Sequence, residues 1–227
     1  MAGGRFSKYF AYSVIFGGKT MFSHNSQFWD KRYGEAGYAY GTQANQFLIE
    51  QQDRFEPGMK TLVVGDGEGR NGVWLASQGL NVLSIDISLV GLQKAEALAT
   101  QHQVTIQTEC ADLTSWQWPK ATYDLVVAIY LHFDPKVRQR MHRSMLEALK
   151  PDGLLILEAF NPKQLEYQTK YDSGGPKTPK MLYAPEMLQQ DFEGGKILEL
   201  TEAVTELKEG QYHRGKASVI RLILQQQ

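Results

Sequence analysis

Apolar residues fall into two rhythms along this chain. Short unbroken apolar runs alternate with stretches in which apolar residues recur every three or four positions. ANQFLIEQQDRF sets Phe47, Leu48 and Phe55 at roughly helical spacing, and Pro57-Gly58 ends it. TLVVG then reads as a short buried strand, and NGVWLASQG as a helix stopped by Gly79. NVLSIDIS is the next strand, and Ser88 caps the helix LVGLQKAEALATQH. VTIQTECADL is a third strand, ending near Cys110. YDLVVAIYLHF is a fourth, with the continuous apolar run of a parallel strand covered on both faces. Asp134-Pro135 forms an N-cap and N1 pair for PKVRQRMHRSMLEALK, which Pro151-Asp152-Gly153 ends. GLLILEAF is the fifth strand.

Strand-helix alternation at this spacing predicts a doubly wound α/β fold with a parallel sheet. The end of the chain breaks the rhythm. After a helix at APEMLQQDF come KILELTEAVTEL and SVIRLILQ, two β-rich runs joined by KEGQYHRGKA. No helix fits between them, so they are expected to pair as an antiparallel hairpin. The prediction is a mostly parallel seven-stranded sheet with an antiparallel C-terminal hairpin.

Composition narrows the partners. The chain has 227 residues, with 24 basic and 25 acidic side chains and a net charge of -1. This balance gives no electrostatic footprint for nucleic acid or an anionic membrane. No apolar run reaches the eighteen or so residues needed to span a bilayer. A single cysteine, Cys110, excludes an intramolecular disulfide framework and fits a reducing, cytoplasmic setting; it reads as a buried strand residue. Residues 1–20 carry Arg5, Lys8 and Lys19 and no acid. The favoured reading of residues 1–21 is a disordered extension, or sequence upstream of a start at Met21; an organelle presequence is the rarer alternative. Residues 22–227 are then one domain. The pattern leaves oligomeric state open.

The candidate chemistry starts at the first strand. TLVVGDGEGRNG runs into Gly65, Gly67 and Gly69, a turn that must be tight and closely approached. A glycine-rich turn between a first strand and a helix is a nucleotide-binding device in doubly wound folds. The spacing is G-x-G-x-G, with Arg70 where a dinucleotide fingerprint needs its third glycine, and no phosphate-loop signature is present. Asp66 and Glu68 add negative charge to the turn, which suits a cationic ligand better than a phosphate. Asp86 ends the second strand about twenty residues on, where a carboxylate can accept ribose hydroxyls. Asp112 follows the third strand, where it can receive an exocyclic amine. All lie at the carboxyl ends of consecutive strands, the edge at which open parallel sheets bind ligands. The inferred ligand has a ribose, a base and a positive charge; an adenosyl sulfonium fits.

VVGDGEGRNG, VLSIDIS, CADLTSW, YDLVVAIYLHF and LKPDGLLILEAF resemble the successive motifs of class I S-adenosylmethionine-dependent methyltransferases, over about residues 22 to 225. FWDKRYGEAGYAYG, GEGRN and GGPKTPKMLYAPEML resemble the tellurite-resistance-type and thiopurine-methyltransferase-like enzymes, which act on small molecules. The resemblance implies that Gly65, Gly67 and Gly69 wrap the methionine part of the cofactor, with Asp66 in the same loop. It implies Asp86 at the ribose, Asp112 at the adenine amine, and Ile87 and Leu113 flanking the adenine. Ala128 and Tyr130 are expected where the fourth strand opens toward the sulfonium. Trp29, Tyr33 and Tyr40 match the aromatic segment that covers the site, or else form a packed helix. The family usually has an acid two residues before the first glycine; here that residue is Val63, and Asp66 stands in as a substitute.

A general base is not obvious. His132, just past the fourth strand, is near the expected methyl position, though a structural pairing with Asp134 is favoured. His213, in the hairpin turn beside Arg214, reads as solvent-exposed. The remaining histidines form no metal-ligand spacing. Without a base, a small acceptor that ionises near neutral pH, of sulfur, selenium or tellurium, is favoured. YDSGGPKTP, residues 171–179, is expected to close over the acceptor side, with Gly174 and Gly175 as hinges. Two rivals stand beside this reading: a non-catalytic methyltransferase fold that binds an adenosyl ligand or a partner, and a nicotinamide-dependent oxidoreductase.

Overall fold

The computed structural model describes residues 24–227, so the expectation for residues 1–21 lies outside the described residues. Helix α1 (His24–Tyr33) precedes the short α2 (Gln46–Ile49). Then follow β1 (Lys60–Val64), α3 (Arg70–Ser77), β2 (Asn81–Asp86), α4 (Leu89–Gln101), β3 (Gln107–Cys110) and β4 (Tyr123–Ile129). The chain continues through α5 (Pro135–Ala148), β5 (Leu149–Phe160), α6 (Gln164–Tyr171), α7 (Pro185–Asp191), β6 (Gly195–Glu209) and β7 (His213–Gln226). The strands form one sheet in the order β3-β2-β1-β4-β5-β7-β6. All pairings among β1 to β5 are parallel, and β7 is antiparallel to both β5 and β6.

Both faces of the sheet are buried, because consecutive side chains of a strand point to opposite faces. Leu62 and Val64 of β1, with Val126 and Ala128 of β4, join Met141 and Met145 of α5 and Phe192 in one core. Val63, Leu125 and Val127 join Phe47, Leu48 and Leu75 in the other. This is why β1 and β4 read as continuous apolar runs. Asp134 caps α5 as expected: its Oδ1 accepts from the Lys136 amide, and Pro135 stands at N1.

Several boundaries differ from the sequence reading. The predicted helix at residues 44–55 is only α2 followed by a 3-10 turn at Gln52–Arg54. β3 is four residues long and forms a sheet edge, so Cys110 is exposed rather than buried. The hairpin loop is three residues, 210–212, not ten. As a result β6 and β7 overhang the sheet. The last β5 residue, Phe160, pairs with Val219, whereas β7 begins at His213, which pairs with Glu209.

Candidate active site

The carboxyl ends of the parallel strands meet in a cavity of about 660 Å³. Along the edge it takes Asp112 and Leu113 after β3, Asp86 and Ile87 after β2, and Gly65 and Asp66 after β1. Tyr130 and His132 follow from β4, and Phe160 from β5. Trp29, Tyr33 and Tyr40 close the outer side. Thus most of the residues expected at the site share one cavity.

Three do not line it. Ala128 is fully inside the core, opposite Leu157 of β5, and Ile129 reaches the cavity in its place. Gly67 and Gly69 are also absent from the wall, although both have the positive φ expected of them, 57° and 84°. Their missing side chains serve protein packing. A Cβ on Gly67 would strike the Tyr33 hydroxyl, and one on Gly69 would strike the Ala95 Cβ and come within 2.8 Å of its Cα. The glycines therefore admit α1 and α4 to the loop, and only Gly65 borders the cavity directly.

The two acids in the loop are spoken for. Asp66 is buried; its carboxylate accepts from the Ser84 hydroxyl at 2.6 Å and from the Gly72 amide at 3.2 Å. It braces the loop against β2 and the first turn of α3, which Val63, inside an apolar cluster, does not do. Burial raises its pKa, against these hydrogen bonds. Glu68 accepts from the Ala39 amide at 2.7 Å and pairs with Lys94 at 2.9 Å. Its charge is neutralised in holding residues 37–41, so both loop acids serve the fold rather than attracting a cationic ligand.

Asp86 is 6% exposed. Its oxygens accept from the Gly67 amide at 2.9 Å and the Ser88 amide at 2.8 Å. Burial pushes its pKa up to about 6, against those hydrogen bonds. Ser88 caps α4 through the Gly91 amide and donates to Asp30 of α1 at 2.5 Å. Asp112 accepts from the Thr114 amide and hydroxyl, both through Oδ1, and its Oδ2 has no protein partner among the described residues. One carboxylate at the end of β2 and an open carboxylate oxygen after β3 suit a ribose and a base amine.

The histidines exchange roles. His132 is locked: Nδ1 donates to the Met181 carbonyl at 2.7 Å, and Nε2 accepts from the Phe160 amide at 3.2 Å. Burial pushes its pKa down to about 4. It has no nitrogen for an acceptor, and its partners are not Asp134. His213 is buried, not exposed. The hairpin overhang carries it into the cavity, among Tyr40, Tyr130 and Phe160 at ring centroid distances of 4.5, 4.7 and 5.3 Å. Its Nδ1 lies 3.2 Å from Glu209, and Nε2 has no hydrogen-bond partner among the described residues. Burial lowers its pKa, so the ring is neutral near pH 7. No local motif marks this residue; only the hairpin length signals it.

Beneath this chamber lies a buried polar network. Arg70 pairs with Glu209 at 3.0 Å. Asn45 Nδ2 donates to both Glu158, at 2.7 Å, and Glu209, at 3.2 Å. Glu158 also accepts from Tyr130 and from Arg221, each at 2.7 Å. Tyr130 has φ 54°, a left-handed conformation uncommon outside glycine and often found at functional sites. Gly175, Pro176 and Lys177 line the cavity as expected of the 171–179 segment. That segment is fastened by α6: Gln164 Nε2 donates to the Gly174 carbonyl and Gln168 Nε2 to the Pro176 carbonyl.

Among the described residues no cluster suits a metal ion, and no helix is long and apolar enough to cross a membrane. Residues 62–153 match the family model of a methyltransferase domain. A putative methyltransferase of Geobacillus sp. (strain WCH70) is 31% identical over 144 residues, covering 61% of this chain and 57% of the relative. Thiocyanate methyltransferase 1 of Brassica oleracea is 32% identical over 121 residues, 52% of this chain and 50% of the relative. The chain thus spans about half the length of these curated relatives. The crystal structure of TehB from Haemophilus influenzae superposes with a TM-score of 0.64 at 18% identity, covering 89% of this chain and 67% of that one. Its fold is therefore shared. Residues 62–153 thus carry a methyltransferase domain, and the seven-stranded sheet with its terminal antiparallel hairpin is the fold of class I S-adenosylmethionine-dependent methyltransferase structures.

Proposed function

We propose that this protein transfers a methyl group to a small soft acceptor, a sulfur, selenium or tellurium nucleophile, as the tellurite-resistance-type resemblance implies. The observation that carries the reading is a single cavity with two carboxylates at its β2–β3 end and an aromatic chamber at its β4–β5 end. Bound in it, S-adenosylmethionine supplies an electrophilic methyl group on a positively charged sulfur. Asp86 accepts the ribose hydroxyls, Asp112 Oδ2 accepts the adenine amine, and Ile87 and Leu113 flank the base. Gly65 and Asp66 border the methionine part, with Trp29, Tyr33 and Tyr40 over it. Alignment of the acceptor against the methyl carbon can supply about 7 to 11 kcal/mol of the acceleration.

His213, rather than His132, receives a proton when the acceptor carries one. Its open Nε2 is the receiving atom, and Glu209 stabilises the imidazolium that forms. The Tyr40, Tyr130 and Phe160 rings offer a polarizable, water-poor wall. Such a wall favours a sulfur-type acceptor over a hydrated oxygen, and the thiocyanate methyltransferase likeness supports the same class. A cytoplasmic site of action belongs to this proposal, on the strength of the single cysteine.

The test is release of S-adenosylhomocysteine with thiols, selenite, tellurite, phenols and amines as acceptors. Turnover with the first three groups is expected. Turnover restricted to phenols or amines would remove the soft acceptor, and binding of S-adenosylhomocysteine without turnover on any acceptor would favour the non-catalytic fold.

A further inference from the structure

Gln164, on α6, is fully buried, yet both polar ends of its amide have partners. Its Oε1 accepts from the Ser218 amide of β7 at 2.8 Å. Its Nε2 donates to the Ser173 hydroxyl and to the Gly174 carbonyl, each at 2.9 Å. An apolar side chain would fill the same space without the cost of burying an amide, so these hydrogen bonds are what the glutamine adds. Gln168, four residues on and on the same helix face, donates through Nε2 to the Pro176 carbonyl at 2.8 Å. α6 is thus a rail that ties the 173–176 backbone to β7.

In sequence the 171–179 segment reads as a closing flap with Gly174 and Gly175 as hinges. The surroundings of these glycines give them another reason. Both have positive φ, 83° and 93°. A Cβ on Gly174 would lie 2.5 Å from the Tyr212 carbonyl oxygen and 2.9 Å from His213 Cδ2. One on Gly175 would lie 2.8 Å from Phe160 Cδ2. The backbone therefore rests directly on two rings of the acceptor chamber. Farther along, His132 Nδ1 donates to the Met181 carbonyl at 2.7 Å, and the Tyr183 amide donates to the Phe160 carbonyl at 3.0 Å. The segment is pinned on both sides of residues 177–180, whose side chains are exposed. A hinge must absorb a change of backbone dihedrals, and packed, hydrogen-bonded glycines resist one. We propose that Gln164 is a positioning residue for the methyl acceptor: it holds residues 173–176 against His213 and Phe160 as a fixed wall, and that wall limits the size of the acceptor. The inference rests on the acceptor site proposed above.

Two variants test it. Gln164→Glu keeps the oxygen that accepts from Ser218 and puts a second acceptor where the Gly174 carbonyl needs a donor. Gln168→Leu removes only the Pro176 pin, at a half-buried position. For each, kcat and KM are measured with a small thiol, 2-mercaptoethanol, and a bulky one, 2-naphthalenethiol, alongside the affinity for S-adenosylhomocysteine. In Gln164→Glu the ratio of kcat/KM for the small thiol to that for the bulky one is expected to fall about fivefold or more, chiefly through the KM values. Affinity for S-adenosylhomocysteine should stay within about twofold of wild type, which also shows that the variant is folded. Gln168→Leu should shift the ratio the same way by less, and it decides alone if Gln164→Glu does not fold. An unchanged ratio would overturn the inference, as would equal losses for both thiols together with weakened S-adenosylhomocysteine binding. A kcat that rises with both KM values unchanged would overturn it too, by making the segment a lid whose opening limits turnover. If the wild type methylates phenols or amines but no thiol, the soft-acceptor reading fails, and the same ratio is read with phenol and 2-naphthol or with a small and a bulky amine. If it binds S-adenosylhomocysteine and methylates nothing, the acceptor site and this inference fall together.

Discussion

Asp86 holds a proton more readily than an ordinary carboxyl group, with a pKa pushed up to about 6 by burial. The sign of the consequence follows. With the ribose placed on Asp86 as proposed, its hydroxyls need the charged, accepting form, so cofactor affinity is expected to fall as pH drops through 6 and to be steady above 7. The raised pKa also opposes folding once pH passes the ordinary carboxyl range, and that penalty levels off above 6. Wild-type affinity for S-adenosylhomocysteine is expected to fall about tenfold between pH 7.5 and pH 5, since one pKa unit is a factor of ten. Asp86→Asn should bind weakly at both pH values with no such slope; calorimetry at the two pH values checks this. A second residue-scale prediction concerns the base. His213→Ala should lower kcat by about 10² to 10⁴ for an acceptor that must lose a proton, and much less for one already ionised. The rate ratio between a high-pKa and a low-pKa thiol measures it. Asp86 and Asp112 were legible as residues because strand ends repeat a simple geometry. His213 was not, because its place depends on the sequence-distant Tyr40, Tyr130 and Phe160.

At the scale of elements, the glycine loop shows how a motif can be legible while its physical reason is not. Positive φ values at Gly65, Gly67 and Gly69 agree with a turn that needs glycine. The close approach, however, comes from Tyr33 of α1 and Ala95 of α4 at two of the three positions. Gly69→Ala therefore combines a strained φ of 84° with a clash against the α4 backbone. A strained position of this kind costs about 1 to 3 kcal/mol. With roughly 2 to 4 °C of Tm per kcal/mol at this size, melting should move down by several degrees. Cofactor affinity should weaken as well, because the loop and α4 shift apart; thermal scanning and titration of the same variant check both. The apolar rhythm located β1, β2, β4, β5 and the hairpin strands. It overran at β3 and α2, where short elements end on capping and edge effects that periodicity does not carry.

At the scale of the whole molecule, the network of Arg70, Asn45, Tyr130, Glu158, Glu209, His213 and Arg221 joins α3, β4, β5, β6 and β7 beneath the acceptor chamber. Burial alone would raise the pKa of Glu209, but Arg70 and His213 outweigh it and hold it at about 2. A depressed carboxyl pKa adds stability above the ordinary glutamate range, and that stability is lost as pH falls from about 4.5 toward 2. Arg70→Met leaves Glu209 with only the neutral partners Asn45 and His213. Removing one member of a buried pair costs about 3 to 5 kcal/mol, so chemical denaturation should show a loss of that order at pH 7. The loss should shrink at pH 3, where the isolated carboxyl of the variant is protonated. Sequence alone determined the strand-helix alternation, the antiparallel ending and the two acids at strand ends, because periods of 2 and 3.6 and the caps of helices are local physics. Only the tertiary structure decided that the hairpin overhangs the sheet, that His132 is locked while His213 is open, and that Arg32 lines the cavity. Those outcomes depend on which distant side chains converge, and burial and hydrogen-bond supply are properties of the assembled core rather than of any segment.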